Sequence, residues 1–366
     1  MTDAKRSSKI NPLDNSQISD YVQQYASRRP LQEQFTGKFV TLLKALIQVK
    51  DIEVHLIESR TKDIVSFQEK ICRASKRYLD PVNEVTDLSG VRIIVYYEED
   101  LNAIAELIAK EFDIDWDNSV DNRKLMKPEE FGYQSIHYIA GLSESRRTLL
   151  EWRHLSSLRA EIQVRTVLQH AWAAISHKLQ YKREEDVPQI LRRKLFRLSA
   201  LLELADEEFM GLRDKTVLLT QKIEEQIAEG NTNIEINILT LQEFLNTSSE
   251  AMQLVTHAQE SGFTVENFPG TEEEKKYLSE LVAFCNFGGL KTISDLKTAL
   301  SGSLKWSKEY LSKHFQIDNV KWSVSTSFLC ELILMKVFKD KVDLQFLLNA
   351  GWSKKMGEQV LSVAKD

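Results

Sequence analysis

Residues 85–97, VTDLSGVRIIVYY, form the densest β-forming run in the chain. β-branched and aromatic residues crowd it, and such residues fit a pleated strand. Asp87 stands at its head, three residues before Gly90. A carboxylate at the mouth of a buried strand must be solvated, paired or bound to metal, because an unpaired charge there is costly. Taken alone, Asp87 reads equally well as a turn residue or a metal ligand. A strand this apolar requires a sheet around it.

The flanking sequence supplies one. Residues 31–59 carry Phe35, Phe39, Leu42, Leu43, Leu46 and Ile47 near a 3.6 period and predict a helix. VHLIESRTK predicts a short strand and DIVSFQEKICRASKRYL a helix after it. EEDLNAIAELIAKEF predicts a helix with acidic residues in its first turn, where the helix dipole favours them. Residues 113–130 read as a polar connection. FGYQSIHYIAGL and RAEIQVRT predict further strands, and VLQHAWAAISHKLQYK a helix. A long helical run then follows Pro188 and stops at Gly230. About four strands thus alternate with helices, which predicts an α/β or α+β domain with a small mixed sheet. From Leu239 the pattern changes to short helices separated by Gly, Asn and Pro. The expected organisation is a polar N-terminal segment over 1–30, irregular until about Ile18, a mixed domain over 31–230 and an all-helical domain over 231–366.

Composition narrows the function classes. The 366 residues carry a net charge of −6, which argues mildly against a dedicated nucleic-acid binder. Positive charge is local, in Arg73/Lys76/Arg77, Arg123/Lys124/Lys127 and Arg192/Arg193/Lys194/Arg197. Each cluster reads either as a solvated face or as a local phosphate site. No apolar run suits a membrane span and the N-terminus lacks an apolar signal core, so no membrane role is expected. Cys72, Cys285 and Cys330 show neither zinc spacing nor a disulfide framework, and a reducing cytoplasm fits them.

Several stretches carry polar chemistry at strand or helix spacing. In FGYQSIHY, Phe131, Tyr133, Ser135 and His137 would share one strand face, suited to something planar and polar. In RAEIQVRT, Glu161, Gln163 and Arg165 share a face opposite Ile162 and Val164. Two strands each offering one carboxylate is a common way to hold Mg²⁺. Arg60 and Lys62 precede a helix that places Ser66 and Lys70 on one face, a pattern suited to polyphosphate or to plain solvation. His170 and His177, two turns apart, miss the zinc-protease spacing and read as structural or substrate-contacting. The P-loop, dinucleotide-fold and nucleophile-elbow glycine motifs do not occur.

In order, Arg60–Lys70, DLSGVR, GYQSIHY, EIQVRT and HAWAAISHKLQYK resemble the synthetase domain of the RelA/SpoT family over about residues 35–230. The resemblance is to the small stand-alone type. It implies a nucleotidyltransferase-like mixed sheet of about five strands flanked by helices. It also implies transfer of pyrophosphate from ATP to a nucleotide 3′-hydroxyl, usually of GDP or GTP, giving ppGpp or pppGpp. By position, Asp87 matches the family's Mg²⁺ ligand and Glu161 the second acidic residue, a Mg²⁺ ligand or base. Arg60, Lys62, Ser66 and Lys70 match positions that hold ATP, with Lys70 also counted as catalytic. Tyr133 matches the tyrosine that stacks on the acceptor base. His137 lies beside it, and Gln163 and Arg165 belong to the acceptor side. Glu130 and Phe131 depart from the Lys or Asn that many alarmone synthetases carry before the Gly-Tyr. FGYxSxHY is similar to the toxic branch of the family, which offers an alternative acceptor in the 3′-CCA end of tRNA. The helical extension would then act as antitoxin or sensor. An inactive nucleotide-binding module and a homo-oligomer are the remaining alternatives.

Overall fold

The computed structural model describes residues 13–73, 77–125, 135–178, 189–318 and 323–365. It divides into two compact units, Met1–Arg213 and Asp214–Asp366. The boundary expected at residue 230 thus lies earlier, inside a helix. Gly230, at φ 81°, ends that helix but does not separate the units.

The first unit opens with α1 (Asn15–Val49), where an irregular segment was expected up to about Ile18 and a helix only from residue 31. Asp14 caps it, accepting from the Gln17 backbone N–H while the Gln17 side chain accepts from that of Asp14. Pro30 lies inside and forfeits one helical hydrogen bond. A buried stripe of Tyr25, Phe35, Phe39, Leu43 and Ile47 carries the helix across it. Then follow β1 (Leu56–Thr61), α2 (Ile64–Ile71), β2 (Ser89–Val95), α3 (Glu98–Glu111), β3 (Phe112–Ile114), β4 (Val120–Asp121), β5 (Ile136–Leu142), β6 (Arg159–Thr166), α4 (Val167–Lys178) and α5 (Gln189–Ala228). Pro81–Glu84, Asn122–Leu125 and Glu144–Arg147 are single turns.

The sheet has six strands in the order β1-β2-β6-β5-β3, with β4 also paired to β5. β2 and β6 run parallel; the other pairs are antiparallel. β3 and β4 fall where a polar connection was expected, since strands of three and two residues are too short to show alternation. Register sorts the side chains into two faces. Ile57, Ile93, Val164 and Ile136 share one row, and Val91, Ile162 and Tyr138 the next. That face joins Phe39 and Leu43 of α1 and Leu101, Ile104 and Ile108 of α3 in the core. The opposite face carries the polar residues. A smaller cluster of Tyr25, Phe67, Ile71, Val82, Val85 and Leu88 locks α2 and the approach to β2 against α1.

The second unit takes in the end of α5 and α6 (Ile238–Thr247), α7 (Ser249–Glu260), α8 (Glu272–Gly288), α9 (Ile293–Asp318), α10 (Thr326–Val337), α11 (Leu344–Asn349) and α12 (Lys354–Lys365). It is not wholly helical. β7 (Thr264–Val265) and β8 (Ser323–Val324) pair in parallel, each too short to announce itself in sequence. Leu281, Leu296, Leu311, Leu329 and Ile333 are fully buried in its core. Cys285 and Cys330 are buried free thiols there, and Cys72 is an exposed one in the first unit. No helix of the described residues is long and apolar enough to cross a membrane.

Candidate active site

Residue pairing across the polar face builds the site. Arg60 on β1 stands opposite Gly90 on β2, and Gly90 opposite Glu161 on β6. One row along, Glu58, Arg92, Gln163 and His137 line up across β1, β2, β6 and β5. Gly90 leaves the floor between Arg60 and Glu161 bare. A Cβ there would lie 3.6 Å from Arg60 Cγ. Above this floor is a cleft of about 250 Å³, lined by Arg60, Asp87, Gly90, Arg92, Glu161 and Gln163 among others.

Asp87 sits in the turn entering β2, where it meets two lysines. Lys62 Nζ lies 2.9 Å from one carboxylate oxygen and Lys70 Nζ 2.8 Å from the other. The Lys62 N–H also donates to Leu88 O at 2.9 Å, which fixes the chain leaving β1 beside the chain entering β2. Tyr25 Oη donates to Lys62 O at 2.6 Å, and Arg29 Nε donates to it at 3.2 Å. The N-terminal half of α1 therefore sets the position of a site lysine. Burial pushes the Tyr25 phenol up to about 12, which keeps it a donor. Burial alone would raise the Asp87 carboxyl, but the ammonium groups of Lys70 and Lys62 outweigh it and hold the group below its ordinary value.

Glu161 is likewise kept ionised. Burial works against its charge, and so does Asp87. His137, and more weakly Lys70, more than compensate and lower it. His137 Nδ1 is 3.2 Å from Glu161 Oε1. Two carboxylates held charged on one lysine-rich face form a polar centre, not a packed core. Among the described residues there is no cluster of three or more His, Cys, Asp and Glu placed to hold a metal.

The expected site residues separate into groups. Arg60, Asp87, Glu161 and Gln163 line the cleft, and Lys62 and Lys70 attach to it through Asp87. Ser66 is turned to a local task, its hydroxyl donating to Asp63 Oδ2 at 2.7 Å at the start of α2. Arg165 is 4% exposed and donates to Gln163 Oε1, so it braces Gln163 from behind. Tyr133, with Glu130, Phe131, Gly132 and Gln134, lies outside the described residues, as do Lys76, Lys127, Tyr181 and the side chain of His177. His170 is held below its ordinary value by burial and by Arg165 and Arg92. Arg123 bonds Asp121 at 3.0 Å and Asn102 at 2.8 Å, so it braces the fold locally. Of the third basic cluster, Arg193, Lys194 and Arg197 are exposed on α5. Sequence reasoning missed Glu58, Gly90 and Arg92 as cleft residues. The signal was the shared period-2 face of ESR and SGVR, legible only once the strands are paired.

Residues 59–186 match the family model described as a region found in RelA / SpoT proteins. The chain is 27% identical over 158 residues to the GTP pyrophosphokinase YwaC of Bacillus subtilis (strain 168), covering 43% of this chain and 72% of that protein. It is 28% identical over 163 residues to the GTP pyrophosphokinase YjbM of the same organism, covering 44% of this chain and 72% of that one. Among solved structures, the small alarmone synthetase 2 from Bacillus subtilis is similar at a TM-score of 0.42 and 23% identity, covering 52% of this chain and 98% of that one. Over this region of its first unit, the chain is similar to RelA/SpoT proteins.

Proposed function

We propose that the first unit transfers pyrophosphate from ATP to the 3′-hydroxyl of a purine nucleotide, with GDP or GTP as the acceptor and ppGpp or pppGpp as the product. The observation that carries this reading is the Asp87–Lys62–Lys70 cluster beside Glu161 on one bare-floored sheet face. The names of YwaC and YjbM as GTP pyrophosphokinases support it. Such transfers rest on positioning and charge stabilisation rather than on protein nucleophiles.

The residues divide the work by chemistry. Lys62, Lys70 and Arg60 supply positive charge for the triphosphate. The acceptor's 3′-oxygen attacks the β-phosphorus of ATP, the bond from that phosphorus to the α–β bridging oxygen breaks, and AMP leaves. Glu161, held ionised, takes the proton from the attacking hydroxyl. Mg²⁺ takes one or two protein carboxylates with substrate phosphate oxygens, so Asp87 fits it, and bound there it would offset phosphate charge. Asp87 bridges the two lysines, one at each carboxylate oxygen. A bound triphosphate would offer the lysines phosphate oxygens in place of Asp87.

The test is incubation of the purified chain with labelled ATP and Mg²⁺ against GDP, GTP, adenine nucleotides and tRNA in parallel. A pyrophosphorylated guanine nucleotide together with AMP is expected. Label on the tRNA 3′ end instead would replace the acceptor but keep the chemistry. No labelled product with any acceptor would overturn the reading.

A further inference from the structure

A run of side chains ends on Glu161, and the reaction as written above does not use it. Asn122, in the turn after β4, places Nδ2 3.4 Å from Ser135 Oγ. Ser135 Oγ is 2.8 Å from His137 Nε2, and His137 Nδ1 is 3.2 Å from Glu161 Oε1. Backbone pairing fixes the start of the run, since Asn122 N–H donates to Ser135 O at 3.1 Å and Val120 pairs with His137. Ser135 is fully buried.

The chemistry of the groups sets a direction. An ionised carboxylate only accepts, so His137 Nδ1 must carry a hydrogen. With one ring hydrogen, Nε2 is an acceptor and the Ser135 hydroxyl donates to it. The Ser135 oxygen in turn accepts from the Asn122 amide. Every hydrogen then points toward Glu161. Such outer partners fix the tautomer and orientation of the group that does the chemistry.

We propose that His137 is a positioning residue for Glu161. Backed by Ser135 and Asn122, it holds Oε1, and Oε2 is left to receive the acceptor's proton. The His137 bond falls on Oε1. The inference rests on the reaction proposed above and gives His137 a different task from the acceptor contact that the family resemblance implies.

Two amide variants of the full chain separate the tasks. Asn places its amide near Nδ1 and keeps the donor to Glu161; Gln places its amide near Nε2 and loses it. His137→Gln is expected to lower kcat about 10–100-fold, the range for lost outer partners, with KM for ATP and acceptor unchanged. His137→Asn should retain most of kcat, and Ser135→Ala should lie between them. A raised acceptor KM at unchanged kcat, or equal losses in Asn and Gln, would overturn the assignment.

A second readout needs no turnover. Nitrogen NMR of the His137 ring is expected to show the Nδ1-protonated tautomer, and Glu161→Ala should abolish that preference. An Nε2-protonated ring in the unaltered chain would overturn the proposal. An unaltered chain that makes no product would instead overturn the function, and the ring would still report on the positioning.

Discussion

Both units bury ionisable groups, and they treat them in opposite ways. In the first, Asp87 and Glu161 lose water yet stay charged, because lysines and a histidine meet them. In the second, Glu331 on α10 is 4% exposed, and burial pushes it from the ordinary 4.5 up to about 8, with Glu280 adding to the rise. Burial also pushes the Cys285 thiol up to about 12 and His314 down to about 4. Desolvation always favours the neutral form, and only supplied partners reverse it. Charge retained in a half-buried place is therefore the mark of the site, and charge surrendered is the mark of a core.

The largest expected effect breaks the first half of this contrast. Asp87→Asn removes the counter-charge from Lys62, 9% exposed, and from Lys70. Transfer should fall by at least about 10²–10³-fold, the scale for losing one such electrostatic group. The melting transition of the first unit should fall by roughly 1–3 kcal/mol, discounted because the cluster is not sealed from water. Retained turnover would remove Asp87 from the site.

Glu331→Gln tests the other half through pH. The folded value, about 8, exceeds the ordinary 4.5, so the unfolded chain ionises first as pH rises. Stability is therefore full below 4.5, drains as pH climbs through about 8 and levels off above. His314, held low, acts only below its ordinary 6.5, and Cys285, held high, acts only near its ordinary 9 and above, which leaves the window from 6.5 to about 8 to Glu331 among these groups. Glu331→Gln should flatten the pH dependence of second-unit melting there and stabilise it at pH 9 by on the order of 2–4 kcal/mol. Asp87 and Glu161, held low, have the opposite sign. Their contribution is complete above the ordinary carboxylate range and is lost as pH falls through their depressed values. A second unit that melts alike at pH 6.5 and 9 would contradict the neutral Glu331.

Asp206, in the first unit, behaves like the second-unit groups, which sharpens the rule. Burial pushes Asp206 on α5 up to about 6, with Glu98 adding to the rise; it accepts from Thr166 Oγ1 at 2.7 Å. Its stability contribution drains between the ordinary 3.8 and about 6. Asp206→Asn keeps an acceptor for Thr166 and drops the charge. A gain of about 1 kcal/mol is expected at pH 7 after discounting for solvent screening, and none at pH 3. Calorimetry at the two pH values checks it, and an equal change at both would mean that charge is not the cause.

How far the sequence foretold all this depends on the range of the interaction. β6 matches RAEIQVRT to the residue, and its alternation already set Glu161 and Gln163 against Ile162 and Val164. Asp87 stood out for its place before β2. α1 did not, because its first half is polar and interrupted by Pro30, and its anchors, such as Tyr25 against Phe67 at 4.4 Å, are tertiary. Lys62 and Lys70 were expected to hold phosphate, and nothing local shows that they close on Asp87. Nor does spacing show Ser66 spent on a cap or Arg165 turned inward. Period and composition report faces; which faces meet is decided by pairing register, and the sequence is silent on that.

The smallest expected effect probes the bare floor between the charged groups. Gly90 lies on β2 between Arg60 and Glu161, and a methyl there would make ordinary contact at 3.6 Å with Arg60 Cγ and 3.8 Å with its Nε. Nothing must move, so Gly90→Ala should fold, gaining up to about 0.4–1 kcal/mol from a less flexible unfolded chain. The added carbon nevertheless occupies the floor of the cleft and crowds the guanidinium. If that floor receives the triphosphate, KM for ATP should rise severalfold while kcat and the acceptor KM stay near their starting values. A variant that is more stable and equally tight for ATP would place the triphosphate elsewhere on the face. Asp87 and its lysines would then bind it from the side, and the emptiness at Gly90 would serve only the packing of Arg60.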